Sequence, residues 1–129
     1  TRAPGAAVNR ILVVEDEADL AVTYDRLLRR EGFRVVTAAS RGEGLKALES
    51  APPVLVIADL RLPDGDGLDI IRAARARDPQ VPVIVVTAFA SRAARDAALA
   101  SGASAFLTKP FPASALLRLV HDELERSTP

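Results

Sequence analysis

Residues 11–20 read ILVVEDEADL: four aliphatic residues, then at once Glu15, Asp16 and Glu17. An unbroken apolar run of this length has the pattern of a parallel β-strand buried on both faces. Three adjacent acids repel one another, so a chain that gathers them there either solvates them or uses them. The pattern recurs down the chain. Strand candidates are Ile11–Val14, Arg34–Thr37, Val54–Ala58, Val83–Val86 and Ala105–Leu107, of which the first, third and fourth are almost wholly apolar.

Helical patterns alternate with these strands. Leu20, Tyr24, Leu27 and Leu28 share one face, and Gly32 supplies a stop. Ser40-Arg41-Gly42-Glu43 has the form of a capping box opening a helix that buries Leu45 and Leu48. A third helix, carrying Leu68, Ile71 and Ala74 or Arg75, follows the glycine-rich LPDGDG loop. The fourth, SRAARDAALASG, is so rich in alanine that it is expected to pack weakly. Leu116, Leu117, Val120 and Leu124 mark a fifth. Five strand–helix pairs imply a doubly wound α/β sandwich, with helices on both faces of a parallel sheet.

Composition narrows the class. A chain of 129 residues, 49% hydrophobic and 26% charged, suits one globular domain. Seventeen acids balance seventeen bases, which leaves no nucleic-acid or membrane footprint. The absence of cysteine excludes disulfides, thiolate ligands and a cysteine nucleophile. With no signal peptide and no run long enough for a bilayer, a soluble cytoplasmic domain is expected. There is no methionine, and only two of the bases are lysine, Lys46 and Lys109. Residues 1–9 read as a linker or leader and 127–129 as a tail, as in a domain excised from a longer protein, around a domain at 10–126.

In folds of this class ligands bind at the carboxyl ends of the strands. There the first strand has Glu15 and Asp16, the third Asp59, the fourth Thr87, and the fifth Thr108 and Lys109; the second ends in the inert Ala38 and Ala39. Clustered carboxylates need a compensating cation, and a few oxygen ligands plus water suit Mg²⁺ better than a caged Ca²⁺. Zinc is disfavoured without cysteine and with His121, the one histidine, expected on the surface of the last helix. Such a site offers positive charge and a hydroxyl to a phosphoryl group, and an aspartate in it can act as nucleophile.

Four motifs, VVEDE (13–17), IADLRLPDGDG (57–67), IVVTA (84–88) and GASAFLTKPF (102–111), come in an order and spacing that resemble the response-regulator receiver domains of two-component signalling, over about residues 10–126. The resemblance implies a CheY-like five-stranded sheet of order 2-1-3-4-5 flanked by five helices. It makes Asp59 the phosphorylated aspartate, taking its phosphoryl group from a histidine kinase or histidine phosphotransfer protein. It assigns Mg²⁺ to Glu15, Asp16, Asp59 and the backbone carbonyl of Arg61, with Glu17 outside the site. Thr87, Lys109 and Phe106 become the switching residues, and a cis peptide is expected before Pro110. The output face would be the fourth helix, fifth strand and fifth helix, also the surface for any homodimer. No direct nucleic-acid or membrane contact and no classical enzyme activity are implied. Arg61 and Phe89, two residues beyond Asp59 and Thr87, are expected to flank the site mouth, slowing loss of the phosphoryl group. Asp64 and Asp66 are expected to be solvated. The competing class, Mg²⁺-dependent phosphatases with an aspartate nucleophile, wants a DxD motif where this chain has EDE. A receiver fold that only binds proteins would not need Asp59, Thr87 and Lys109 together.

Overall fold

A computed structural model describes residues 9–127. Residues 1–8 of the expected leader and 128–129 of the expected tail lie outside them. The five expected strands form, each within one residue of its expected limits: β1 Arg10–Val14, β2 Arg34–Ala38, β3 Leu55–Ala58, β4 Val83–Thr87 and β5 Ala105–Thr108. They make one parallel sheet of order β2-β1-β3-β4-β5. Helices α1 Ala18–Arg30, α2 Arg41–Ser50, α3 Leu68–Arg77, α4 Arg92–Ser101 and α5 Ala113–Ser127 connect and follow them.

Side-chain alternation along the strands builds two cores. Ile11, Val13, Leu55, Ile57, Ile84 and Val86 face α1 and α5, where they meet Tyr24, Leu28, Leu116 and Val120. Leu12, Val14, Val56, Ala58, Val83 and Val85 face the other way, toward Leu48, Ile70, Ile71, Ala74 and Ala98. The three central strands are therefore apolar on both sides, which is why their sequences do not alternate.

The helix ends follow from local chemistry. Gly32 adopts φ +94 just beyond α1, and the amides of residues 31–33 close on the carbonyls of Leu28 and Arg29. Ser40 caps α2 by accepting from the Glu43 amide at 3.1 Å. Glu43 reaches back one residue further than a standard capping box, accepting from the amide of Ala39 rather than Ser40. On α2 Leu48 is buried and Leu45 half-buried, while Gly44 lies so near the sheet that a Cβ there would sit 2.8 Å from Ile70 and 3.0 Å from Val14. In α4 the one buried residue is Ala98, and Leu99 is exposed, as its alanine-rich composition implied.

The LPDGDG stretch is more ordered than a loop. Arg61–Leu62 and Gly65–Asp66 pair as a short antiparallel ribbon around a turn with proline second and glycine fourth. Asp64 and Asp66 are exposed but not merely solvated, which corrects the expectation. Asp64 accepts from the amides of Arg41 and Gly42 at 2.6 and 2.9 Å, a second cap on α2 that fastens the ribbon to it. These bonds hold the Asp64 carboxyl below the usual carboxylate range. Asp66 accepts from the amide of Leu68 at 2.8 Å, at the start of α3.

Gly67 closes the ribbon. Its amide donates to the Leu60 carbonyl at 2.8 Å, and a Cβ at this position would lie 2.0 Å from the Asp59 carbonyl oxygen. Backbone cannot yield as a flexible side chain can. Gly67→Ala is therefore expected to destabilise the domain by about 1–3 kcal/mol, the usual cost of overpacking, read from the urea midpoint. An unchanged midpoint would show that the loop yields freely.

Candidate functional site

The carboxyl ends of β1, β3, β4 and β5 converge on one cluster. Glu15 follows β1 and is 1% exposed; Asp59 follows β3 and is 6% exposed. Lys109 follows β5, and the Lys109–Pro110 peptide is cis, as expected. The Lys109 Nζ lies 2.7 Å from Asp59 Oδ2, 2.8 Å from Glu15 Oε1 and 3.2 Å from Glu17 Oε1. The contacts to Asp59 and Glu17 are aligned hydrogen bonds, whereas Glu15 Oε1 has the charge without an aligned donor.

Oxygen atoms of Glu15, Glu17 and Asp59 all fall within 4.8 Å of one another. Glu17 was expected to stay outside the site and open the first helix. It does occupy the position before α1, but its side chain makes no capping bond there and joins the cluster instead. Residues two apart near a strand end tend to share a side, so the Glu15–Glu17 spacing was the available signal. Asp16, between them, is exposed and contributes no oxygen to that cluster.

Electrostatics follows from one ammonium facing three carboxylates. Burial raises the Glu15 pKa above its usual value, and Lys109 only partly offsets this. For Lys109 burial acts to lower the pKa, but its contacts with Asp59 and Glu15 outweigh it and hold the group well above the ordinary lysine value. Lysine is thus firmly charged, and the site still carries excess negative charge. Oxygen donors with such an excess fit a hard divalent cation such as Mg²⁺.

Thr87 is fully buried at the end of β4, and its hydroxyl accepts from the Phe89 amide at 3.2 Å. Its carbonyl receives the Lys109 amide at 2.9 Å, tying the ends of β4 and β5 together. The Arg61 amide donates to Asp59 Oδ1 at 3.2 Å, while its guanidinium stacks 3.5 Å from the centre of the Phe89 ring. The two expected flanking residues thus touch one another. Phe89 is 43% exposed, and the pair borders a cleft of about 400 Å³ shared with Leu60, Leu68 and Ala94. Phe106 is half-buried against the α3 and α4 side, with the Arg95 guanidinium 4.9 Å from its ring centre. His121 is exposed on α5, 2.8 Å from Glu31, far from any metal role. Tyr24, expected on the apolar face of the first helix, is buried there, and its hydroxyl has no hydrogen-bond partner.

Known proteins share this plan. The chain is 37% identical over 122 residues to the transcriptional regulatory protein PrrA of Mycobacterium tuberculosis, covering 95% of this chain and 52% of that protein. It is 39% identical over 119 residues to GlrR of Escherichia coli, covering 92% and 27%. The chain therefore spans about half the length, or less, of these relatives. A CheY-like receiver domain from Methanospirillum hungatei superposes with TM-score 0.90 at 31% identity, over 94% of this chain and 97% of that one. The beryllofluoride-activated NtrC4 receiver domain dimer superposes with TM-score 0.87 at 30% identity, over 94% and 100%. Residues 11–121 match the family described as the response regulator receiver domain. With the sheet order, the acid cluster and the sequence agreeing, the chain belongs to the receiver domains of two-component response regulators.

Proposed function

We propose that Asp59 accepts a phosphoryl group from the phosphohistidine of a histidine kinase or histidine phosphotransfer protein, and that the adduct switches the α4-β5-α5 face. The observation that carries this reading is the 2.7 Å contact between Asp59 and Lys109, fifty residues apart and both largely buried. An Asp59 oxygen forms a bond to phosphorus as the phosphorus–nitrogen bond breaks, and the imidazole leaves and takes a proton. Attack by water at phosphorus later breaks the new oxygen–phosphorus bond, releasing inorganic phosphate and returning the carboxylate. Glu15, Asp16, Asp59 and the Arg61 carbonyl are the proposed holders of Mg²⁺, with Glu17 close enough to join them. When bound, that ion supplies charge neutralisation to the phosphoryl oxygens.

The chain's own groups do the rest. Lys109 orients Asp59 and offers its ammonium to the incoming oxygens. On phosphorylation Thr87, whose hydroxyl accepts from the Phe89 amide, turns instead to the phosphoryl group. That exchange draws in the loop and frees room for Phe106, biasing an existing equilibrium at the output face. The sparsely buried α4 suits such a shift, having little large apolar area to hold it. Receiver domains are signalling domains rather than classical enzymes, and no helix among the described residues is long and apolar enough to cross a membrane. A cytoplasmic setting, and a homodimer through the output face, belong to the same proposal.

Acetyl phosphate with Mg²⁺ is expected to give one phosphoryl adduct by intact mass, absent in Asp59→Asn, and phosphate esters are not expected to be turned over. An unmodified wild-type chain under these conditions would overturn the reading. Phe89→Ala removes the ring stacked on Arg61 and opens the cleft beside Asp59. It is expected to shorten the adduct lifetime about two- to fivefold, the factor corresponding to an exposed cation–π contact of about 0.5–1 kcal/mol. An unchanged decay would show that the pair shields nothing.

A further inference from the structure

Glu17 sits at the N-cap of α1, where its carbonyl accepts from the Ala21 amide at 3.0 Å. A side-chain carboxylate at this position ordinarily accepts a second bond, from an amide of the first turn. That of Glu17 makes no such bond and reaches instead to Lys109, 92 residues away. An acid that forgoes its local cap for a distant ammonium needs an explanation.

Residue 17 grips the cluster twice. Its amide donates to Glu15 Oε2 at 3.3 Å, and its Oε1 accepts from Lys109 Nζ at 3.2 Å. An ammonium has three protons to donate, and three carboxylates face this one: Asp59 at 2.7 Å, Glu15 at 2.8 Å and Glu17 at 3.2 Å. The three are not equivalent. Glu15 and Asp59 are buried, whereas the Glu17 side chain is 61% exposed and meets the ammonium from the solvent side. Glu17 and Lys109 also line one cleft of about 430 Å³, together with Leu20, Tyr24, Pro110 and Phe111.

We propose that Glu17 is a positioning residue for Lys109, holding the ammonium beside Asp59 while Mg²⁺ engages Glu15 and Asp59. This rests on the phosphoacceptor reading of Asp59 given above. Without metal, Lys109 leans on all three carboxylates. With a divalent ion on Glu15, Asp16 and Asp59, the Glu15 and Asp59 oxygens are shared between two cations, and their hold on the ammonium weakens. Mg²⁺ needs few carboxylates and keeps several waters, so Glu17 is left to the lysine. Glu17 thus sets where the ammonium meets the incoming phosphoryl oxygens, without itself touching them.

Glu17→Ala is the test, because it removes the acceptor and costs α1 no capping bond. Labelling by acetyl phosphate is followed by intact mass over a range of Mg²⁺ concentrations. The rate at saturating Mg²⁺ is expected to fall about two- to fivefold, the factor of a partly exposed ion pair. The half-maximal Mg²⁺ concentration is expected to change by less. A saturated rate at or above that of the wild type overturns the inference; if the half-maximal concentration then rises, Glu17 serves the ion instead. A second readout does not involve the reaction. In the metal-free chain labelled with ¹⁵N-lysine, solvent exchange of the Lys109 ammonium is expected to quicken in Glu17→Ala, with Lys46 unchanged. Equal protection of Lys109 in both chains also overturns the inference and leaves the phosphoacceptor reading standing. A wild-type chain that takes up no phosphoryl group overturns both.

Discussion

One ammonium group shared among three carboxylates is the constraint around which this domain is arranged. Lys109 holds Asp59, Glu15 and Glu17 together from the far end of the sequence. Removing one partner of a buried ion pair generally costs about 3–5 kcal/mol, because the remaining charge is stranded. Here the cost falls at a point where three strand ends meet, so charge and sheet order are interdependent. One ammonium against three carboxyl groups leaves the cluster with an excess of negative charge. That excess favours an incoming cation, while burial holds the pKa of Glu15 above its usual value.

The backbone around the cluster is correspondingly tight. Gly67 packs so close to the Asp59 peptide that a Cβ there would meet its carbonyl oxygen, and Asp64 staples the intervening ribbon to the start of α2. On the other flank Arg61 and Phe89 lean on each other across the cleft, and Thr87 bonds to its own loop. The Asp59 side is thus held by several backbone contacts, whereas Thr87 and Phe89 are fastened by single ones. A second tie runs from α3: Arg75 donates to the Gly102 carbonyl at 2.8 Å and to Ser104 Oγ at 3.2 Å, pinning the end of α4 to the start of β5.

Much of this was legible in the residues. Continuous apolar runs exposed the central strands, because burial on both faces removes any alternation, and the residue after each run named the converging groups. The strand limits missed by one residue where Arg10, Ala38 and Thr87 extend pairing without adding to the hydrophobic pattern. Less legible were features that depend on close approach in three dimensions. The Asp64 cap joins residues 22 and 23 apart, and nothing local distinguishes the LPDGDG ribbon from a solvated turn. Glu17 was read as a helix opener because acids are favoured there in any case. Tyr24 looked like core from its helical spacing, and its core placement was correct; spacing carries no information about a stranded hydroxyl.

The shared ammonium can be observed directly, since the chain has only two lysines. With ¹⁵N-labelled lysine, Lys46 on the exposed face of α2 serves as the reference for Lys109. The account predicts a Lys109 Nζ resonance displaced from that of Lys46 and protected from solvent exchange, which moves when acetyl phosphate and Mg²⁺ are added while Lys46 stays fixed. Two resonances alike in shift and exchange, or a Lys109 signal unmoved once the adduct has formed, would contradict it.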